Sequence, residues 1–299
     1  DNVLNGKKIM FIGNSLSHSG QMVLKHATSA TQSKRSGDVG YFYQLCKANG
    51  ANVNVTDWTF GGHVLPELFG GTCASCSVNH ADNITDRNYD YVVIQSGPTE
   101  GENDATFAQD VEDIMNLFKA GNPDTKFIVL VPHTAYGKVG PKNQIATATN
   151  TLNHLKTLAN QNVIICDWGG MINDILNKDV TVPGATLSYK KLTFAIKDGY
   201  HPSLLTGYIS ALMTYCAITG ESAVGKTYDF CNNESLSPDT AKPFFSFTKF
   251  ITESYTKSDG TVIDTNFDEV FASSSDMLGL QQLIDQYLAN KPYMNYNYS

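Results

Sequence analysis

Strand-like and helix-like runs alternate along the chain. Ile9–Ile12, Val53–Trp58, Tyr89–Gln95, Lys126–Val131 and Val163–Cys166 are short, apolar-rich and rich in β-branched residues, and Pro132 stops the fourth. Between them lie segments of helical period. Phe42 and Leu45 share a face of 41–48. Val111, Ile114, Met115 and Phe118 recur at spacings of three and four within 107–118. Ile145, Leu152, Leu155 and Leu158 line one side of 143–159, and Leu204–Thr219 is a long apolar helix. Strands buried on both faces and separated by helices predict an α/β protein, a mainly parallel five-stranded sheet with helices on either side. Residues 221–277 break the pattern. They are rich in Ser, Thr, Asp and Asn, with Phe244, Phe245, Phe247 and Phe250 scattered among them. We read them as an irregular extension packed on the main domain, followed by a terminal helix over 277–290. No internal repeat is visible, so the expected organisation is a single domain over 1–299 with its core at about 7–220.

Composition narrows the function classes. Of 299 residues, 41% are hydrophobic and 17% charged, which is a globular composition and not a disordered one. The formal net charge of −8 speaks against a nucleic-acid partner, because phosphate binding needs a basic face. No apolar run has the length of a membrane span. Cys73-Ala74-Ser75-Cys76 could be a local disulfide, a pair of free thiols, or part of a metal site with His80 or His63. Structural zinc takes four ligands and no second such pair exists, so the expectation is no metal. Cys46, Cys166 and Cys216 lie in apolar segments and read as buried thiols. Cys231, in a polar loop, is a candidate for pairing.

Two short motifs carry the chemistry. The first strand runs into Gly13-Asn14-Ser15-Leu16-Ser17, a serine on a tight turn at the carboxyl edge of the sheet, where open α/β sheets bind ligands. Far downstream, Asp198-Gly199-Tyr200-His201-Pro202-Ser203 places a carboxylate three residues before a histidine. A serine hydroxyl needs a neighbouring base, and imidazole, with an ordinary pKa of about 6.5, suits that role. The imidazole in turn needs an acceptor to fix its tautomer, and Asp198 can supply it. Ser15, His201 and Asp198 are therefore the candidate nucleophile, base and orienting acid. The turn is not the Gly-x-Ser-x-Gly elbow of the α/β-hydrolases, since residue 17 is Ser. Alone, each motif also has a bland reading, as a loop serine or an exposed loop histidine.

Gly13-Asn14-Ser15-Leu16 resembles the Gly-Asp-Ser-Leu block of the SGNH, or GDSL-like, hydrolases, with Asn14 in place of Asp. Asp198-Gly199-Tyr200-His201 matches their last block. The resemblance looks closest to a bacterial branch with a Phe-Ile-Gly-Asn-Ser first block and an Asp-Gly-x-His-Pro-Ser last block. It implies a flavodoxin-like three-layer α/β/α sandwich and a serine esterase working through an acyl-enzyme. The family's second block implies an oxyanion donor at Gly61 or Gly62, with Gly62 favoured because the loop after it lies nearer the expected site. The third block departs from the family's pattern. Thr99 stands where an Asn is usual, while the branch resembles Val-Val-Leu-Gln at this point, which makes Gln95 the candidate third donor beside the N–H groups of Ser15 and Gly62. His18, Gly61, His63 and His133 are candidates for lining the substrate pocket. The resemblance implies no cofactor and a small-molecule or glycan ester substrate, most naturally an acetylated carbohydrate or else a short-chain ester, in a bacterial protein. Low charge with many Asn, Thr, Ser and Tyr residues reads as secreted or cell-surface. An O-acyltransferase and a non-catalytic carbohydrate-binding protein on the same fold are the rival expectations.

Overall fold

The computed structural model describes residues 1–23, 40–69, 84–95, 104–132, 163–186, 188–189, 191–195, 201–232, 245–246, 249–250, 255–256, 262–263 and 273–290. Its centre is a five-stranded sheet of β1 (Lys8–Gly13), β2 (Asn54–Thr59), β3 (Tyr91–Gln95), β4 (Lys126–Leu130) and β5 (Val163–Cys166). Every neighbouring pair is parallel and the spatial order is β2-β1-β3-β4-β5. The chain leaves β1 toward β2 on one side and later returns to place β3 on the other. The order therefore reverses at β1 and β3, and the crevice outside their carboxyl ends is the expected ligand position. The expected fold class is the one observed.

The period of two along each strand sends alternate side chains into two cores. Ile9, Phe11, Val93, Ile128 and Leu130 face one layer, with α2 (Tyr41–Ala48), α5 (Trp168–Leu176) and α7 (Leu204–Thr219). Met10, Ile12, Val92, Ile94, Phe127 and Val129 face the other, with α3 (Leu65–Phe69) and α4 (Asp104–Lys119). From α4 the residues Val111, Ile114, Met115 and Phe118 are buried there, the stripe its spacing predicts. A further short helix, α6 (Lys191–Phe194), precedes the segment of His201.

The helix α7 begins and ends where its sequence predicts. The Ser203 side chain caps its first turn by accepting from the Thr206 N–H, and Gly220 ends it in the left-handed region. It is apolar nearly all round and buried from Leu204 to Cys216, as such a helix must be. The helix α5 was not anticipated, because its Gly169-Gly170 pair lowers helix propensity. Asp167 compensates. It is fully buried and caps the helix by accepting from the Gly170 N–H at 2.8 Å, a structural role.

The predicted helix over 143–159, the Cys73/Cys76 pair and His80 lie outside the described residues. Within the extension, Phe245–Ser246 pairs with Lys249–Phe250 and Tyr255–Thr256 with Val262–Ile263, two short antiparallel ladders where irregular chain was expected. The terminal helix, α8 (Ser274–Asn290), starts three residues earlier than expected. The Ser273 N–H donates to Asp276 and the Asp276 N–H to the Ser273 hydroxyl, a reciprocal cap that sequence periodicity does not reveal. Asp276 also accepts from the Thr186 N–H and hydroxyl, and Gln281 donates to the Tyr208 hydroxyl of α7 and the Lys226 carbonyl. Cys231 corrects its expectation. It is a free thiol, buried against Tyr41 in the 3-10 turn Asp229–Asn232, whose Phe230 ring also meets that of Tyr41.

Candidate active site

The site forms where β1 ends. Parallel register sets Gly13 beside Thr59 of β2 and Ile12 beside Ile94 of β3, so Thr59 and Gln95 flank the turn that follows. Asn14 leaves the strand in an extended conformation and caps α1 (Ser15–His18), its side chain accepting from the Leu16 N–H at 3.0 Å. That cap leaves Ser15 at the first helical position. Ser15 is half-buried while Asn14, Leu16, Ser17 and His18 around it are buried.

His201 reaches this serine from a remote part of the chain. Its Nε2 lies 2.9 Å from the Ser15 Oγ across a separation of 186 residues. Two features fix the approach. Pro202 bridges Ala195, the Ser203 N–H donates to the Phe194 carbonyl at 3.0 Å, and the Ser203 hydroxyl donates to the Thr193 carbonyl at 2.9 Å. The loop carrying His201 is thereby stitched to α6. The second feature is a contact of bare backbones. A Cβ built on Gly207 would fall 1.5 Å from the Gly20 carbonyl oxygen, so the turn after α1 packs directly on the first turns of α7. Only glycine permits this approach, which draws the Ser15 turn and the His201 segment together.

The loop after β2 is tied to the same turn. The Phe60 N–H donates to the Gly13 carbonyl at 3.1 Å, and the Asn14 side-chain amide donates to the His63 carbonyl at 3.0 Å. Gly61 and Gly62 lie exposed between these two anchors, and Gly62 has a φ of 75°. His63 is half-buried, its Nδ1 lies 2.8 Å from the Gly61 carbonyl, and its ring stands 5.8 Å from that of Phe60.

Polar side chains buried beneath the turn complete the site. Gln95, read from the sequence as an oxyanion donor, directs its amide at the turn. Its Oε1 accepts from the Asn14 N–H at 3.1 Å and from the Ser17 hydroxyl at 2.8 Å, and its Nε2 donates to the Asn14 Oδ1 at 3.0 Å. His18, read as bordering the substrate, is buried, with its Nδ1 3.0 Å from the Thr59 hydroxyl. That hydroxyl lies 2.5 Å from the Asp57 Oδ1, which also accepts from the Thr59 N–H. The one hydroxyl proton goes to the carboxylate, so His18 carries its own proton on Nδ1. Sequence reasoning missed Asn14, Ser17, Asp57 and Thr59. The available signal was polar residues at a strand end that β-α-β topology must bury.

Asp198, Thr99 and His133 lie outside the described residues. Among the described residues no cluster of three or more His, Cys, Asp and Glu side chains is arranged to hold a metal ion. None of their helices is long and apolar enough to cross a membrane.

No protein-family model matches the chain, and no curated protein matches it either. Solved structures do. A DUF4886 family protein from Bacteroides uniformis superposes with a TM-score of 0.55 at 14% identity, covering 95% of both chains. A mutant of Axe2, an acetyl-xylooligosaccharide esterase from Geobacillus stearothermophilus, superposes with a TM-score of 0.50 at 15% identity, over 74% of this chain and 97% of that one. A protein described as a GDSL-like lipase, from Parabacteroides merdae, gives 0.50 at 15% identity, over 73% of this chain and 98% of that one. At such identities the likeness speaks for architecture alone, and the architecture is the SGNH/GDSL-like α/β fold.

Proposed function

We propose that this protein is a serine ester hydrolase that acts through an acyl-enzyme, and that its substrates are O-acetylated carbohydrates. The observation that carries the reading is the 2.9 Å contact between the Ser15 Oγ and the His201 Nε2 on a half-exposed turn. A nucleophile and base within hydrogen-bond reach are the minimum that acyl transfer requires. The fold is shared with an acetyl-xylooligosaccharide esterase, which supports the substrate class. A polymeric acetylated glycan also suits the secreted or cell-surface location expected from composition.

In this reading the Ser15 Oγ attacks the ester carbonyl as His201 takes its proton. The carbonyl oxygen becomes an oxyanion, held by the N–H groups of Ser15 and Gly62. Asp198 accepts from the other imidazole nitrogen and stabilises the charged ring. The tetrahedral species collapses, the sugar alkoxide leaves, and His201 returns the proton to it. Water then attacks the acyl-enzyme by the same route and frees the acid and Ser15. The balance closes without a metal or organic cofactor.

Intact-mass analysis after fluorophosphonate treatment tests the nucleophile without the true substrate. A single adduct on the wild type, absent from Ser15→Ala, is expected. Acetate release from acetylated xylooligosaccharides should fall at least about 1,000-fold in the same variant. Folded wild type that gives neither adduct nor acetate would overturn the reading in favour of a glycan-binding protein. Acetyl release only with a sugar acceptor present would make it a transferase.

A further inference from the structure

We infer that Asn14 and Gln95 form a positioning pair that locks together the two loops from which Ser15 and Gly62 would bind the oxyanion. The inference rests on the reading of Ser15 as the nucleophile, and it assigns a task to the Asn that replaces the usual Asp of the first block.

The orientation of both carboxamides follows from partners that can play only one part. The Leu16 N–H and the Asn14 N–H are donors, so the Asn14 Oδ1 and the Gln95 Oε1 must face them. The other end of Asn14 is then its NH2 group, which meets the carbonyl of His63 at 3.0 Å. The other end of Gln95 is its NH2 group, which meets the Asn14 Oδ1 at 3.0 Å. Each bond is donor to acceptor, and no alternative flip preserves them all. Asp at position 14 keeps the acceptor but turns a second oxygen toward the His63 carbonyl. It loses a hydrogen bond and sets two oxygens face to face.

The pair spans three strand ends. Gln95 closes β3, Asn14 follows β1, and His63 belongs to the loop after β2. Gln95 is 2% exposed and Asn14 8%. The bonds between them and to the turn are buried, where an unmade one is costly, and the bond to the His63 carbonyl is partly buried. The Asn14 N–H belongs to the peptide entering the turn, and the Asn14–Ser15 peptide carries the N–H of Ser15. Gly62 directly precedes His63. One pair of amides therefore holds the settings of both proposed donors. Gly13 belongs to the same device: a Cβ there would fall 2.6 Å from the Gln95 Oε1 and displace the amide.

The test uses the full chain with Asn14→Asp, and Gln95→Met as a second variant of similar length. Readouts are kcat and KM on 4-nitrophenyl acetate, thermal melting, and hydrogen exchange over 12–18 and 58–65. We expect kcat to fall about 10- to 100-fold with KM within about twofold, the signature of misplaced transition-state donors. Exchange should quicken in both segments in either variant, although Gln95 and the 58–65 loop belong to different strands. Unchanged kcat in a folded variant would overturn the inference, and so would faster exchange confined to 12–18. Should wild type give neither turnover nor a fluorophosphonate adduct, the hydrolase reading falls, and coupled exchange alone then decides whether the pair locks the loops.

Discussion

At the amino end of the sheet, the Lys8 Nζ lies 2.6 Å from Asp86, with the two side chains 33% and 47% exposed. The Lys8 N–H also donates to Asp90 at 2.8 Å. At the carboxyl end of the same strands, Gln95 binds Asn14 and Ser17 while Thr59 binds Asp57 and meets the His18 ring, all with exposures below a tenth. At Lys8 the first strand is held by charge at the surface, and at its other end mainly by neutral donors and acceptors sealed from water. A surface ion pair tolerates motion, because water replaces whatever contact is lost. A buried amide network does not, because each broken bond leaves an unsatisfied group. The first strand is thus held exactingly beside the proposed chemistry and loosely at Lys8.

Substitutions at the two ends should therefore behave differently. The largest effect is expected for Gly207→Ala, which drives a methyl group into the Gly20 backbone. Overpacking against backbone should destabilise by about 3 kcal/mol. Urea unfolding would measure it, and a loss under about 0.5 kcal/mol would show that α7 slides freely past the turn. Next comes Thr59→Val, which keeps the shape but removes the hydroxyl between His18 and Asp57. A loss of about 1–3 kcal/mol is expected, because buried polar atoms lose a partner on each side.

The smallest effect is expected for Lys8→Met, about 0.2–1 kcal/mol after allowing for exposure. Its pH dependence is defined. Burial works against ionisation of Asp86. The hydrogen bonds from Lys8 and the Asn88 N–H, with the Lys8 charge, outweigh it and hold the carboxyl below its ordinary range. A depressed carboxyl stabilises the folded state above its unfolded pKa of about 3.9 and loses that contribution as pH falls through the folded value. The gap between wild type and Lys8→Met should thus be full at neutral pH and close in acid. A gap that widened in acid, or reached the size of the Thr59→Val effect, would dissolve the contrast between the two ends.

How far these features were legible depends on what each residue type announces. The strands announced themselves because a parallel sheet covered on both faces needs apolar runs. The bounds of α7 were readable because Ser203 and Gly220 are strong end signals. Ser15 and His201 could be picked out, since a serine after a strand and a histidine after Asp-x-x are rare pairings of type and place. Asn14 and Gln95 stood in plain view, but their task was hidden. A carboxamide can donate outward or inward, and only the register of β1 between β2 and β3 decides which. The Gly20–Gly207 contact was illegible for a related reason. A glycine states what it allows, and never what it meets.

That last contact bears on how the chain would acquire the proposed reactivity. Ser15 and Gly20 are made first, and Gly207 and His201 follow nearly two hundred residues later. Closing so long a loop is slow, and parallel pairings of high sequence separation form late. Until α7 docks, Ser15 lacks the imidazole beside it. On the proposed reading, the emerging chain therefore carries a dormant nucleophile, which would become competent only when nearly all of the central domain exists to hold it.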